Sequence, residues 1–111
     1  MEATGFTVEY HAESNELTDS LRAKVEQRLE KLARGHRDMT GASLAVQMVS
    51  GANRRHEYKV RLVLYHKPDN IVAIRKEDTV SNALLEALDA VERQVRERRE
   101  RQRERARGRK K

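Results

Sequence analysis

At 111 residues and 37% hydrophobic content, with one Phe and no Trp, the chain is sized for one domain around a small core of Leu, Val and Ile. The absence of Cys excludes disulfides and thiolate metal sites, and no apolar run approaches a signal peptide or the ~20 residues that span a bilayer. Net charge is +6, but Arg96–Lys111 holds ten Lys or Arg against three Glu, so its +7 leaves 6 − 7 = −1 for residues 1–95. The expectation is a soluble cytoplasmic protein whose first candidate partner is a polyanion.

In chain order, GFTVEYH (Gly5–His11) alternates Phe6, Val8 and Tyr10 against Thr7, Glu9 and His11, which predicts a strand with one wet face. After a polar stretch, Leu21, Val25, Leu29 and Leu32 recur at spacings of four, four and three, the stripe of an amphipathic helix over about Asp19–Arg34. Thr18 suits its N-cap, Asp19 its first turn and Gly35 the position after its end. A second strand follows with Leu44, Val46 and Met48 on one side, and SGANRR makes a turn. The third strand carries Tyr58, Val60, Leu62 and Leu64 on one face, with Lys59, Arg61, Val63 and Tyr65 on a mixed, exposed one. KPDN is turn chemistry, and NIVAIRK is a short β-branched fourth strand. Asp78 or Thr79 then caps a second helix whose stripe is Val80, Leu84, Ala87, Leu88, Val91 and Val95.

The order β-α-β-β-β-α, with three hairpin-linked strands and two one-sided helices, predicts an α+β fold. Its architecture is a two-layer sandwich, both helices on one face of a four-stranded sheet. The predicted organisation is a single domain over 1–95 and a basic, helical-to-disordered tail over 96–111. In that tail Glu97–Arg101 and Glu100–Arg103 have the spacing of helical ion pairs, each adding only ~0.2–0.5 kcal/mol. The remaining excess charge is suited to displacing counterions from RNA phosphates. Arg54 and Arg55, in the turn before the third strand, are further candidates for phosphate contact.

The residues offer little for catalysis. His11, His36, His56 and His66 fall at no metal-ligand spacing and read as scattered surface histidines. There is no Gly-rich phosphate loop, thiol nucleophile or paired-carboxylate motif, so neither enzyme activity, a metal nor a cofactor is expected.

The helix pattern LTDSLRAKVEQRLEKL (Leu17–Leu32) and the run LDAVERQV (Leu88–Val95) resemble the ribosome hibernation factors, also called ribosome-associated inhibitors, over most of residues 5–101. The resemblance is to the short form, without the C-terminal dimerising domain of the long one. Thr79-Val80-Ser81-Asn82-Ala83 departs from the family's usual start of the last helix, and Ala90 stands where a basic residue is common. The resemblance implies a β-α-β-β-β-α fold that occupies the small ribosomal subunit near the mRNA and tRNA path and silences translation under stress or in stationary phase. It carries rRNA contact onto Arg22, Arg28 and Lys31 of the first helix and Arg93, Arg99 and Arg101 of the second; the charge of the tail adds Arg96 and Arg103. Arg28 and Lys31 share a face by spacing, and Arg22, six residues earlier, is expected on the same side of the helix.

The expected partner is the small subunit and its rRNA, with no membrane and no small-molecule substrate, the protein being monomeric in isolation. Two alternatives stand beside this reading. A generic double-stranded-RNA-binding module would want lysines at the start of the last helix, where DTVSNALLEAL has none. A regulatory protein-interaction domain would dock the tail on an acidic partner; the tail lacks the apolar face of a membrane-surface helix.

Overall fold

In the computed structural model, residues 6–12, 17–34, 38–50 and 56–108 are described. The elements follow as β1 (Thr7–Ala12), α1 (Asp19–Ala33), β2 (Met39–Ser50), β3 (His56–His66), β4 (Ile71–Glu77) and α2 (Val80–Gly108). Gly35, His36, Arg54, Arg55 and the terminal RKK lie outside the described residues.

One sheet holds all four strands in the order β1-β2-β3-β4. β2, β3 and β4 form the antiparallel meander, with Leu44 opposite Leu62 and Leu62 opposite Ala73. β1 lies parallel to β2, with Tyr10 beside Leu44, because α1 carries the chain back across the sheet before β2 begins. At the β1–β2 contact Gly41 has no room for a side chain: a Cβ there would sit 2.7 Å from the Thr7 carbonyl oxygen.

The period-two pattern sends Ala42, Leu44, Val46, Val60, Leu62, Leu64, Ile71 and Ala73 to one face, where they meet Val25 and Leu29 of α1 and the stripe Leu84, Leu88, Val91 and Val95 of α2. Both helices therefore cover the same face, and the two-layer α+β sandwich is the fold observed. Among the described residues nothing covers the opposite sheet face. It presents Val72 and Ile74, at 40% and 44% exposure, around a buried Val63.

Local chemistry fixes both helix starts. The Thr18 side chain accepts from the Leu21 amide at 3.2 Å, and the Thr79 hydroxyl accepts from the Asn82 amide at 3.1 Å, so Thr79 rather than Asp78 caps α2. α2 does not stop where its apolar stripe stops. It runs on through Gly108, a polar helix of strong helix formers.

Candidate nucleic-acid interface

The two helices meet along a polar seam above the sheet. Arg28 of α1 sits in it with its guanidinium in a fork: Nε and Nη2 donate to the two carboxylate oxygens of Glu92 at 2.9 and 2.7 Å, and Nη2 also donates to Asp89 at 2.7 Å. These bonds, the Glu92 ones foremost, push the guanidinium above its already high ordinary range. Arg28 is thus a strut between helices, its charge already met by two carboxylates.

One turn further, Arg99 of α2 crosses back to α1, where its Nη2 donates to the Leu32 carbonyl at 3.1 Å. Leu32 lies in the last turn of α1, whose carbonyls have no partner within their own helix, and a cation there also complements the helix dipole. Beside these two residues the seam opens into a cleft of about 520 Å³ lined by Arg28, Lys31, Leu32, Arg34, Glu92, Arg96 and Arg99. Five cations face one carboxylate. Lys31, Arg34 and Arg96 are exposed, and no ion pair or hydrogen bond holds their side chains among the described residues.

The other expected site residues scatter around this cleft. Arg103 follows Arg96 and Arg99 at helical spacing, which continues the cationic flank along the extension. Arg93 points outward and is exposed. Arg101 lies on the opposite flank of α2, in a recess it shares with His66, Pro68, Asp69, Arg98, Gln102 and Arg105.

Arg22 is also elsewhere. Six residues at about 100° each rotate it about 120° from Arg28, so it falls on the β1 side of α1 rather than on Arg28's side. There its guanidinium lies 5.0 Å from the centre of the Tyr10 ring. The Tyr10 hydroxyl donates to Glu26 at 2.6 Å, and burial, with this carboxylate, pushes the phenol well above its ordinary range. Arg22 belongs to a cation–π contact that ties α1 to β1.

Two further corrections concern partners. His66 is not a surface histidine. The alternation of β3 places position 66 on the helix-covered face with 58, 60, 62 and 64, and it is 5% exposed. Its Nε2 lies 3.3 Å from Asp38 and its Nδ1 3.3 Å from Arg98. In the extension neither Glu97–Arg101 nor Glu100–Arg103 closes into an ion pair among the described residues. Holding two long exposed side chains together costs about as much entropy as the contact returns. Of the cations of the extension, Arg98 and Arg99 turn inward and Arg96, Arg101, Arg103 and Arg105 are exposed.

Sequence reasoning missed two residues. Arg34, three after Lys31, was within reach of the same-face spacing that linked Arg28 to Lys31. Arg98 had no signal in the sequence, because its partners come from the β3–β4 turn, 28 to 32 residues away.

The family described as Sigma 54 modulation protein / S30EA ribosomal protein matches residues 8–103, a span that contains every cation of the cleft and Arg103. The chain belongs to this family. Membership bears out the resemblance carried by Leu17–Leu32 and Leu88–Val95, and it places this S30EA-family chain among ribosome-associated proteins. Two solved structures share its fold. One, described as a ribosomal subunit interface protein from Coxiella burnetii, has 12% identity and a TM-score of 0.65, with 84% of this chain and 97% of that one covered. The other, the N-terminal domain of Protein Y from Thermus thermophilus, has 21% identity and a TM-score of 0.53, with 81% and 91% covered. At such identities the likeness speaks for the fold alone. No curated protein matches significantly.

Among the described residues no cluster of three or more His, Asp or Glu could hold a metal ion, and no helix is long and apolar enough to cross a membrane.

Proposed function

We propose that this S30EA-family protein binds the small ribosomal subunit through rRNA phosphates and silences translation in stress or stationary phase by occupying the path of mRNA and tRNA. It acts in the cytoplasm, as a monomer in isolation, without cofactor or small-molecule substrate. Occupancy is the mechanism, so no reacting group is required. The observation that carries this reading is the unpartnered set Lys31, Arg34 and Arg96 at the α1–α2 cleft, continued by Arg103 along the extension. Their positive charge is not spent within the fold, and it lies on one continuous surface that a phosphate backbone can follow.

The duplex-reading alternative is disfavoured by the other end of α2. There Glu77, Asp78 and Glu86 gather, and the Glu77 carboxyl is raised by hydrogen bonding and repulsion from Glu86. A helix start that carries this charge repels the phosphates such a module must grip.

Co-sedimentation with separated ribosomal subunits across a salt series tests the proposal. Four phosphate contacts give a log–log slope of about −3, with binding to the small subunit preferred over the large one and over plain duplex RNA. Binding that is flat in salt, or equal for all three targets, would rule it out.

A further inference from the structure

The first turn of the extension holds two adjacent arginines that reach in opposite directions. Arg98 turns to the β3–β4 hairpin. Its Nη1 donates to the Asp69 carbonyl at 2.6 Å and to His66 Nδ1 at 3.3 Å, and its Nη2 lies 3.4 Å from the Asn70 carbonyl. Arg99 turns to α1 and donates to the Leu32 carbonyl.

The hairpin end is itself wired. The His66 amide donates to the Asn70 side-chain oxygen at 3.2 Å, and the Lys67 amide donates to the Asp38 carbonyl at 2.9 Å. Arginine has no acceptor atom and stays protonated, so His66 Nδ1 must supply the lone pair. The proton of the neutral ring then sits on Nε2, aimed at Asp38. The set Arg98–His66–Asp38 is a directed chain of donors that starts on α2 and ends on the Asp38 carboxylate.

From this we infer that Arg98 and Arg99 are a two-point clamp. Their job is to hold the first turn of the extension between hairpin and α1, rather than to bind anions themselves. They act as positioning residues, and the inference rests on the phosphate-binding reading above. The need for a clamp follows from the sequence: past Val95 no apolar side chain larger than that of Ala106 remains to anchor the helix, and the ion pairs Glu97–Arg101 and Glu100–Arg103 stay open. Directed bonds to backbone carbonyls replace burial. With the turn pinned on both sides, Arg96 and Arg103 keep their rotation toward the cleft instead of sampling all directions. Binding then pays less ordering entropy. Three of the four bonds depend on the planar guanidinium fork, which a lysine of equal charge cannot reproduce.

That difference supplies the test. Arg98→Lys/Arg99→Lys and, as control, Arg101→Lys/Arg103→Lys both preserve the full formal charge. In the clamp variant, amides of residues 96–105 are expected to exchange with solvent about tenfold faster, while those of β2 and β3 stay unchanged. Small-subunit affinity should fall about five- to tenfold with the salt slope retained. The control should keep wild-type exchange. By nitrogen NMR at pH 8, wild-type His66 should show a proton on Nε2 alone, and the Nδ1 resonance should move in Arg98→Lys but not in Arg101→Lys. Should the double variant fold poorly, Arg98→Lys alone is judged by the same readouts. Unchanged exchange in 96–105 overturns the clamp, and so does an affinity loss without faster exchange, which would make Arg98 and Arg99 direct phosphate ligands. If wild type fails to bind subunits, the functional reading falls, while exchange and the His66 signal still decide the clamp.

Discussion

Along α2, Val80–Val95 and Arg96–Gly108 form one continuous helix with opposite relations to the rest of the molecule. The first half buries Val80, Leu84, Leu88, Val91 and Val95 and shows carboxylates outside, Glu86, Asp89 and Glu92. Among the described side chains the second half buries no apolar one, and it carries arginines at 96, 98, 99, 101, 103, 105 and 107. Burial holds the first half and leaves its charges free to make struts such as Arg28–Glu92. The second half is held by guanidinium-to-carbonyl bonds and leaves its remaining described charges exposed. The cations near the end of the helix complement the backbone dipole, whereas no acid lies in its first turn. One helix thus separates the side chains that hold the fold from the cations left exposed at its surface.

Removing the anchor is the harshest way to break this contrast. Leu88 is fully buried at the centre of the first half, and Leu88→Ala is expected to cost about 2–5 kcal/mol in urea unfolding. A loss under about 1 kcal/mol would mean that the first half is not the anchor.

Arg96→Glu with Arg103→Glu probes the second half. Two charge reversals on the cleft flank should weaken small-subunit binding about 10- to 100-fold and shift the melting temperature by no more than about 2 °C. A melting shift as large as that of Leu88→Ala would show the halves to be energetically alike.

Glu92→Gln asks whether a strut can be turned back into a ligand. Arg28 and Glu92 are 28% and 25% exposed, so loss of the pair should destabilise by only about 0.5–1 kcal/mol. Arg28 would then keep Asp89 as its single carboxylate partner. Affinity for a simple polyanion such as heparin is expected to rise a few-fold and to become more salt-dependent. No gain in affinity would mean that Asp89 alone suffices to hold Arg28.

The sequence carried the fold well because the fold rests on periodicity. The alternation in β1–β4 and the stripes in α1 and α2 are local patterns, and Thr18 and Thr79 are local caps. The site was only half readable, for a physical reason. Composition counts cations, but whether one is free depends on what packs beside it. Arg28, Arg22 and Arg99 look like Lys31 and Arg96 along the chain. Only the meeting of α1 with α2, of α1 with β1, and of α2 with the end of α1 shows the first three to be occupied. His66 is the opposite case. Its burial follows from the same alternation that placed Leu62 and Leu64, whereas its partners Asp38 and Arg98 do not.

The smallest expected effect is at the acidic start of α2. The Glu77 carboxyl is raised from its ordinary range, foremost by its hydrogen bond with Glu86, then by that carboxylate's charge, with Asp78 and Glu57 adding to it. A carboxyl whose folded value is raised keeps a proton that the unfolded chain has already lost. It therefore favours folding at acid pH, and that contribution disappears as pH rises from the ordinary glutamate value, about 4.3, through the higher folded one. Glu77→Gln mimics the protonated form at every pH. It should melt slightly above wild type at pH 7, and the gap should close toward pH 4, as followed by thermal unfolding in matched buffers. The effect stays small because Glu77 is well solvated. A gap that does not change with pH would mean that the two carboxylates do not sense each other. The acidic end of α2 would then be acidic in composition only, and the charge contrast along the helix would rest on its arginines alone.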